Sequence, residues 1–133
     1  MRSKSRECAF KIIFSSLFHD ADEQAFRRGV YKASELNGEE EAFAESLVEA
    51  VRTHMPALEE RLGKYAVGFS PERLFPADKS ALCMAMAEIL YIGTPAVVAV
   101  DEAVALAKKY STEKSVGFVN GVLAGFLAEE VQK

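Results

Sequence analysis

The sequence has no tryptophan, only two cysteines and two histidines among its 133 residues, and no long apolar run. Cys8 and Cys83 lie far apart and no histidine pair accompanies them, so a metal site is not indicated and both thiols are expected to be reduced and buried. A bilayer span needs about 20 apolar residues, and the basic start lacks the apolar core of a secretory signal. These absences predict a cytoplasmic protein without a membrane segment or cofactor.

Catalytic patterns are also missing. The sequence contains no nucleophile beside a paired base, no glycine-rich phosphate loop and no metal-ligand spacing. Asp101 and Glu102 are adjacent, so on a helix their carboxylates point in different directions. We therefore expect no enzyme activity.

The bulk numbers suit one soluble helical domain over residues 1–133. Half of the residues are hydrophobic, which allows a real core at this length. The net charge of −4 argues against a general nucleic-acid binder, but its distribution is uneven. Residues 1–19 carry four basic side chains and one acidic one, whereas residues 20–60 carry four basic and eleven acidic ones. A basic end on an acidic body indicates a localised anion-binding patch.

Apolar residues recur at helical spacing along most of the chain, and no segment alternates as a strand would. The pattern predicts an all-α fold of about seven helices. The β-branched run 97–100 resembles a strand, but the helical pattern that continues from it outweighs this. The predicted helices cover residues 3–18, 23–36, 39–55, 56–65 and 77–91, followed by a pair within 97–126, with Asn37-Gly38 ending the second helix through a left-handed glycine.

The pair of helices near the C-terminus organises the chain. Lys108 and Lys109 close the first, where cations suit the helix dipole, and Ser111 or Thr112 can cap the second. Their letters, DEAVALAKKYS and GFVNGVL, closely resemble the C-terminal signature of the NusB family of bacterial transcription antitermination factors. The start, RSKSRECAFKIIF, resembles the basic opening helix of that family. Residues 20–75 match only in helical character.

The resemblance implies a fold of two packed three-helix units and the work of an RNA-binding adaptor. Such an adaptor joins the ribosomal small-subunit protein NusE on the boxA segment of nascent RNA, within the RNA polymerase antitermination complex of ribosomal RNA operons. Arg2, Lys4 and Arg6 match the basic helix that contacts boxA-type single-stranded RNA in the family. Charge alone favours the other interpretation, a solvated, frayed basic end, which is common in soluble proteins.

Three further residues are predicted to contact RNA. Helical spacing by itself places Tyr110 and Phe118 in the core, but the family has aromatic residues here beside the RNA groove, where bases stack. Lys114 stands in the turn between the two signature helices, where relatives commonly carry an acid. Either it attracts RNA or it is a solvated lysine beside Glu113.

Two residues are predicted to bind the protein partner. Asp78 opens the 77–91 helix, where an acid suits the helix dipole and, in the family, faces NusE. Phe14 stands where the family often has a tyrosine, so a hydroxyl that could reach the partner is missing. Cys83 likewise replaces a frequent arginine, so the NusE interface is expected to be altered.

Two other functions are open. A similar helical domain precedes the catalytic domain of ribosomal RNA cytosine methyltransferases, although this length leaves no room for a catalytic domain. A self-associating, protein-binding adaptor is the other, because some relatives look dimeric. The sequence leaves monomer and homodimer open.

Overall fold

The computed structural model describes residues 2–18 and 24–131, and these residues form helices and connecting turns without a strand. The predicted all-α fold is confirmed. The helices are α1 (Arg2–Ser16), α2 (Gln24–Ala33), α3 (Gly38–Thr53), α4 (Met55–Tyr65), α5 (Pro76–Ala87), α6 (Ala96–Tyr110) and α7 (Glu113–Phe126). Part of the predicted 23–36 helix, residue 23, lies outside the described residues.

The helices pack as two groups of three. α1 lies against α3 and α2, and α5, α6 and α7 contact one another, with α4 on α5 and α7. α5 joins the two groups, because it also contacts α1 and α3. Its side chains are buried around the whole helix, which is what a central helix requires. This is the arrangement that the family resemblance implied.

The turn between α2 and α3 differs from its prediction. α2 ends at Ala33, and the left-handed residue is Glu35, with φ 56°, rather than Gly38. Asn37 instead opens α3: its side chain accepts from the Glu40 N–H, and the Glu40 side chain accepts from the Asn37 N–H, both at 2.9 Å. Asn-Gly therefore marks a helix start here, because the glutamate three residues later completes a capping box.

The end of α5 departs from α-helical geometry before the chain enters α6. After Ala87 the helix continues as one π-helical turn, Glu88–Ile92, and stops at Gly93, whose φ of 88° favours glycine. The N–H groups of Gly93 and Thr94 donate to the Glu88 carbonyl. α6 then begins at Ala96, so the β-branched run at 97–100 is helical, as predicted.

Candidate nucleic-acid interface

The start of α1 is positively charged. Arg2 and Lys4 are exposed, and the Arg2 guanidinium lies 4.2 Å from the centre of the Phe43 ring. The first turn of α1 holds no acidic residue. Two cations beside the free N–H groups of a helix start are suited to bind a phosphate.

Arg6 is not the mobile surface cation that the sequence predicted. It is 5% exposed, and its Nε donates to both carboxylate oxygens of Glu88 at 3.0 Å. Glu88 is itself 1% exposed and also accepts from the Thr94 hydroxyl at 2.7 Å. Because buried charges need a partner, Arg6 holds α1 against the end of α5. Its contact with RNA stays a prediction, one that this geometry disfavours.

Tyr110 lies where α6 passes α1. Its ring packs on Phe10 with 5.0 Å between ring centres, while the side chain keeps 36% of its surface exposed. The hydroxyl donates to Glu7, which also accepts from Lys109 Nζ at 2.6 Å. Partial burial acts in the opposite direction, but these hydrogen bonds and the charge of Lys109 hold the pKa of Glu7 below its usual value. Tyr110 is therefore partly exposed, and α1 holds both its ring and its hydroxyl.

The turn after Tyr110 is built to start α7. Thr112 caps the helix, its hydroxyl accepting from the Ser115 N–H at 3.3 Å, which confirms one of the two predicted caps. The Ser115 side chain also lies 2.8 Å from the Ser111 hydroxyl. Lys114 is exposed and forms no ion pair with another residue in the described ranges, Glu113 included. This lysine is available to an anion.

A cavity of about 320 Å³ opens beneath the start of α7. Phe118 lies in its wall, half-buried, and meets the ring of Phe69 edge to face with 5.4 Å between centres. Phe69 and Phe75, both about half exposed, come from the segment between α4 and α5. Tyr110 and Phe118, expected beside one RNA groove, line two different pockets: Phe118 lines this cavity, and Tyr110 lines a groove along α1.

Asp78 lies in the wall of the same cavity. It is 3% exposed, and its Oδ2 accepts from the Ser115 hydroxyl at 2.9 Å. The residue stands in the first turn of α5, as expected for a carboxylate that suits the helix dipole. Its predicted contact with a protein partner stays a prediction, because the side chain is turned to α7.

Phe14 lies on a separate groove along α1. Its ring sits between those of Phe10 and Phe18, at 6.2 and 5.1 Å, and Phe18 is 60% exposed. Phe10, Phe14 and Tyr110 line a groove of about 250 Å³ together with Lys11 and Ser15. The prediction that Phe14 faces a protein partner stays a prediction.

Several residues of this surface escaped the sequence analysis. Glu7 looks like a single acid in a basic helix, and only the fold brings it to Tyr110. Phe69, Arg73 and Phe75 belong to a segment, GFSPERLFP, whose composition is typical of a turn. A partial signal was present, since two phenylalanines in a short loop can form an exposed apolar patch, and such patches mark interaction sites. No sequence pattern predicts the contact between Ser115 and Asp78.

Within the described ranges, no group of three side chains could hold a metal ion. None of the helices there combines the length and hydropathy that crossing a bilayer requires. Cys8 and Cys83 are both buried free thiols, as predicted. Burial raises the pKa of Cys83 to about 12.

An all-helical fold that presents cations and aromatic rings on α1, α6 and α7 suits a nucleic-acid-binding protein. The chain belongs to the NusB family, whose family model matches residues 3–128. It is 33% identical over 126 residues to the transcription antitermination protein NusB of Natranaerobius thermophilus, covering 92% of this chain and 91% of that one. With the NusB protein of Agathobacter rectalis it shares 35% over 128 residues, covering 94% and 98%.

Solved structures agree on the fold. A structure of T. maritima NusB superposes with a TM-score of 0.87 and 26% identity, covering 97% of this chain and 92% of that one. A crystal structure of the antitermination factors NusB and NusE in complex with double-stranded RNA gives a TM-score of 0.86 at 24% identity, covering 96% of both chains. The expected family and fold are thereby confirmed.

Proposed function

We propose that this protein is a transcription antitermination factor that binds boxA-type single-stranded RNA and pairs with a NusE-type ribosomal protein. The observation that carries the proposal is a set of cations and partly exposed aromatic rings on α1, α6 and α7. Its members are two exposed cations at the start of α1, an exposed tyrosine at the end of α6, and an exposed lysine and a half-buried phenylalanine in α7, namely Arg2, Lys4, Tyr110, Lys114 and Phe118. From family membership we infer a cytoplasmic setting.

These groups bind rather than react. Arg2, Lys4 and Lys114 supply charge to phosphates, and the rings of Tyr110 and Phe118 supply faces on which bases stack. Arg6 acts one step away, because its pairing with Glu88 fixes the direction in which α1 presents Arg2 and Lys4. The protein is an adaptor, with no step of bond making or breaking.

The groove beside Phe14 is the surface we assign to the protein partner. Phe18, exposed at 60%, and the half-buried Phe14 offer apolar area, and the nearby Lys11 offers a cation. Its position next to Tyr110 places the partner beside the bound RNA. The missing hydroxyl of Phe14 leaves the contact mainly apolar.

The curated relatives also separate this function from its two alternatives. Both relatives described above are antitermination proteins, and this chain covers 91% and 98% of their lengths. That correspondence favours the adaptor over the helical domain of a methyltransferase. No observation on the described residues favours self-association.

The test is the binding of labelled boxA-type RNA at several salt concentrations. Replacing Arg2 and Lys4 together with alanine should weaken binding and flatten the slope of log affinity against log salt by about 0.7 for each phosphate that is no longer neutralised. Arg28 and Lys32, two exposed cations on α2, provide a matched control when they are replaced in the same way. Equal slopes for both double variants would contradict the proposal.

A further inference from the structure

The cavity beneath α7 combines three features that one ligand would satisfy. Phe69, Phe75 and Phe118 give it aromatic walls. Arg73 and Lys114, both exposed, supply positive charge among its lining residues. Asp78 is the one acid among them. Its volume of about 320 Å³ lies near the lower end of the range of about 300–1,000 Å³ for small-molecule sites.

The Asp78 carboxylate is only half satisfied. Oδ2 accepts from Ser115, but Oδ1 is screened from solvent and accepts no hydrogen bond from the described residues. A buried acceptor without a partner is unfavourable. Rotation about the last side-chain torsion of an aspartate meets a broad, shallow potential and moves both oxygens together, so a small rotation that the Ser115 hydroxyl can follow turns Oδ1 toward the cavity.

We propose that this cavity receives one base of the bound RNA, and that Asp78 selects a base with an exocyclic amino group over uracil. The inference rests on the proposed RNA-binding function and deepens it. The ligand is a single nucleobase that lies against the phenylalanine rings and donates an N–H to Oδ1.

Shape and charge favour a base over a side chain of a protein partner. A base is flat and stacks on aromatic rings. It also brings a phosphate, which Arg73 and Lys114 attract. The same two cations repel a lysine or arginine of a protein that approaches Asp78.

The carboxylate sets the preference among bases. The amino group of cytosine points one N–H at the acceptor, and a hydrogen bond to a charged oxygen is stronger than a neutral one. Uracil has a single N3–H between two carbonyl oxygens, and a carboxylate that accepts from it faces both of these oxygens. Cytosine and uracil have the same ring size, so this difference in donors is what the site reads.

The experiment compares the binding of labelled oligo(C) and oligo(U), each about 12 nucleotides long, comparable with single-strand site sizes of about 4–16 nucleotides. In a homopolymer every register places the same base in the cavity. The parent protein should bind oligo(C) about tenfold more tightly than oligo(U) at one fixed salt concentration. In Asp78→Asn the side-chain amide keeps its shape and can donate to uracil, so the ratio should fall to about one or below.

Asp101→Asn is the matched control. Asp101 is exposed on α6, half a turn around the helix from Tyr110, and its replacement removes the same charge. This variant should keep the parent ratio. A second probe needs no variant: oligonucleotides of N4,N4-dimethylcytidine lack both amino donors and should bind the parent no better than oligo(U).

Failure takes distinct forms. An unchanged ratio in Asp78→Asn, or tight binding of the dimethylated probe, would overturn the base-selection proposal and leave RNA binding standing. Loss of NusE binding in Asp78→Asn with an intact ratio would assign the cavity to the protein partner instead. If the parent binds none of these RNAs, the proposed function itself fails, and this inference with it.

Discussion

At the scale of single residues, we expect Glu7 to compete with RNA for the groups that surround it. Its carboxylate accepts from Tyr110 and Lys109 at the surface that we assign to RNA. A phosphate that approaches Tyr110 would meet this negative charge and a lysine that is already paired. We therefore expect Glu7 to limit RNA affinity.

Replacing Glu7 with glutamine should strengthen RNA binding severalfold. The change frees Lys109, so the slope of log affinity against log salt should steepen by about 0.7 if the lysine then meets a phosphate. Fluorescence anisotropy with labelled RNA over a salt series measures both effects. Asp101→Asn, which removes an equal charge on the other side of α6, should change neither. Weaker binding by Glu7→Gln would show that the carboxylate orients Tyr110 for RNA.

Lys114 tests the path of the RNA at the other end of this surface. Alanine at this position should flatten the salt slope by about 0.7, because one phosphate is no longer neutralised. The melting temperature should stay nearly unchanged, since an exposed lysine without an ion partner contributes little to folding. Lys64→Ala, on the far α4 surface, serves as the control. Identical slopes for Lys114→Ala and the parent would place the RNA elsewhere.

The parts of the site that depend on charge and local sequence could be predicted. The parts that depend on tertiary packing could not. The exposed cations Arg2, Lys4 and Lys114 follow from local sequence. Arg6 looks the same as they do in the sequence, and only the packing of α1 on α5 reveals Glu88 beside it. Periodicity assigned Tyr110 and Phe118 to the buried face, but each lies at the edge of that face, where exposure depends on neighbouring elements.

At the scale of elements, the joint between α1 and α5 depends on one buried ion pair. Arg6→Ala leaves the Glu88 charge buried without its partner and should destabilise the protein by about 3–5 kcal/mol. Arg6→Leu with Glu88→Leu should recover most of that stability, because an apolar pair of similar size needs no compensation. Urea unfolding followed by circular dichroism measures both.

An exposed ion pair provides the comparison for this joint. Lys64 and Glu129 lie 2.7 Å apart with about half of each side chain exposed, so Lys64→Ala should have little effect. A destabilisation in Arg6→Ala no larger than in Lys64→Ala would mean that water reaches Glu88 and that the joint is held by apolar packing alone.

The spacing of apolar residues predicted that the helices exist. It did not predict where they end, because helix ends depend on capping contacts that spacing does not show. Asn37 could end one helix or begin the next, and Glu40 decided the matter through its backbone contact. The π-helical turn at the end of α5 has no sequence pattern of its own. The turn contains Glu88, which pairs with Arg6, and it ends at Gly93.

At the scale of the whole molecule, the small size of the basic surface makes a second component important. A protein of net charge −4 with a short basic end should bind RNA weakly alone. A NusE-type protein on the Phe14 groove would extend the surface beside Tyr110. We therefore expect it to raise RNA affinity, and RNA to raise affinity for it by the same factor.

A titration that holds each component in turn tests this coupling. If RNA and the partner bind together no more tightly than their two separate affinities predict, the coupling is contradicted. Phe14→Ala should reduce the gain by more than it reduces the RNA affinity of the free protein, because Phe14 lines one groove with Tyr110 but lies about 15 Å along α1 from Lys4. A partner that binds normally to Phe14→Ala would place its contact on another face.

The two buried thiols give the protein a practical property. A thiol reacts as its thiolate, and Cys83, with a pKa of about 12 and 1% exposure, holds almost none at neutral pH. Cys8 is shielded to the same degree. A cysteine introduced at Val67, which is 85% exposed in the loop that carries Phe69, would therefore be the one site that a maleimide dye modifies. Because neither natural cysteine would react with the dye, a fluorophore can be placed next to the cavity without first replacing them.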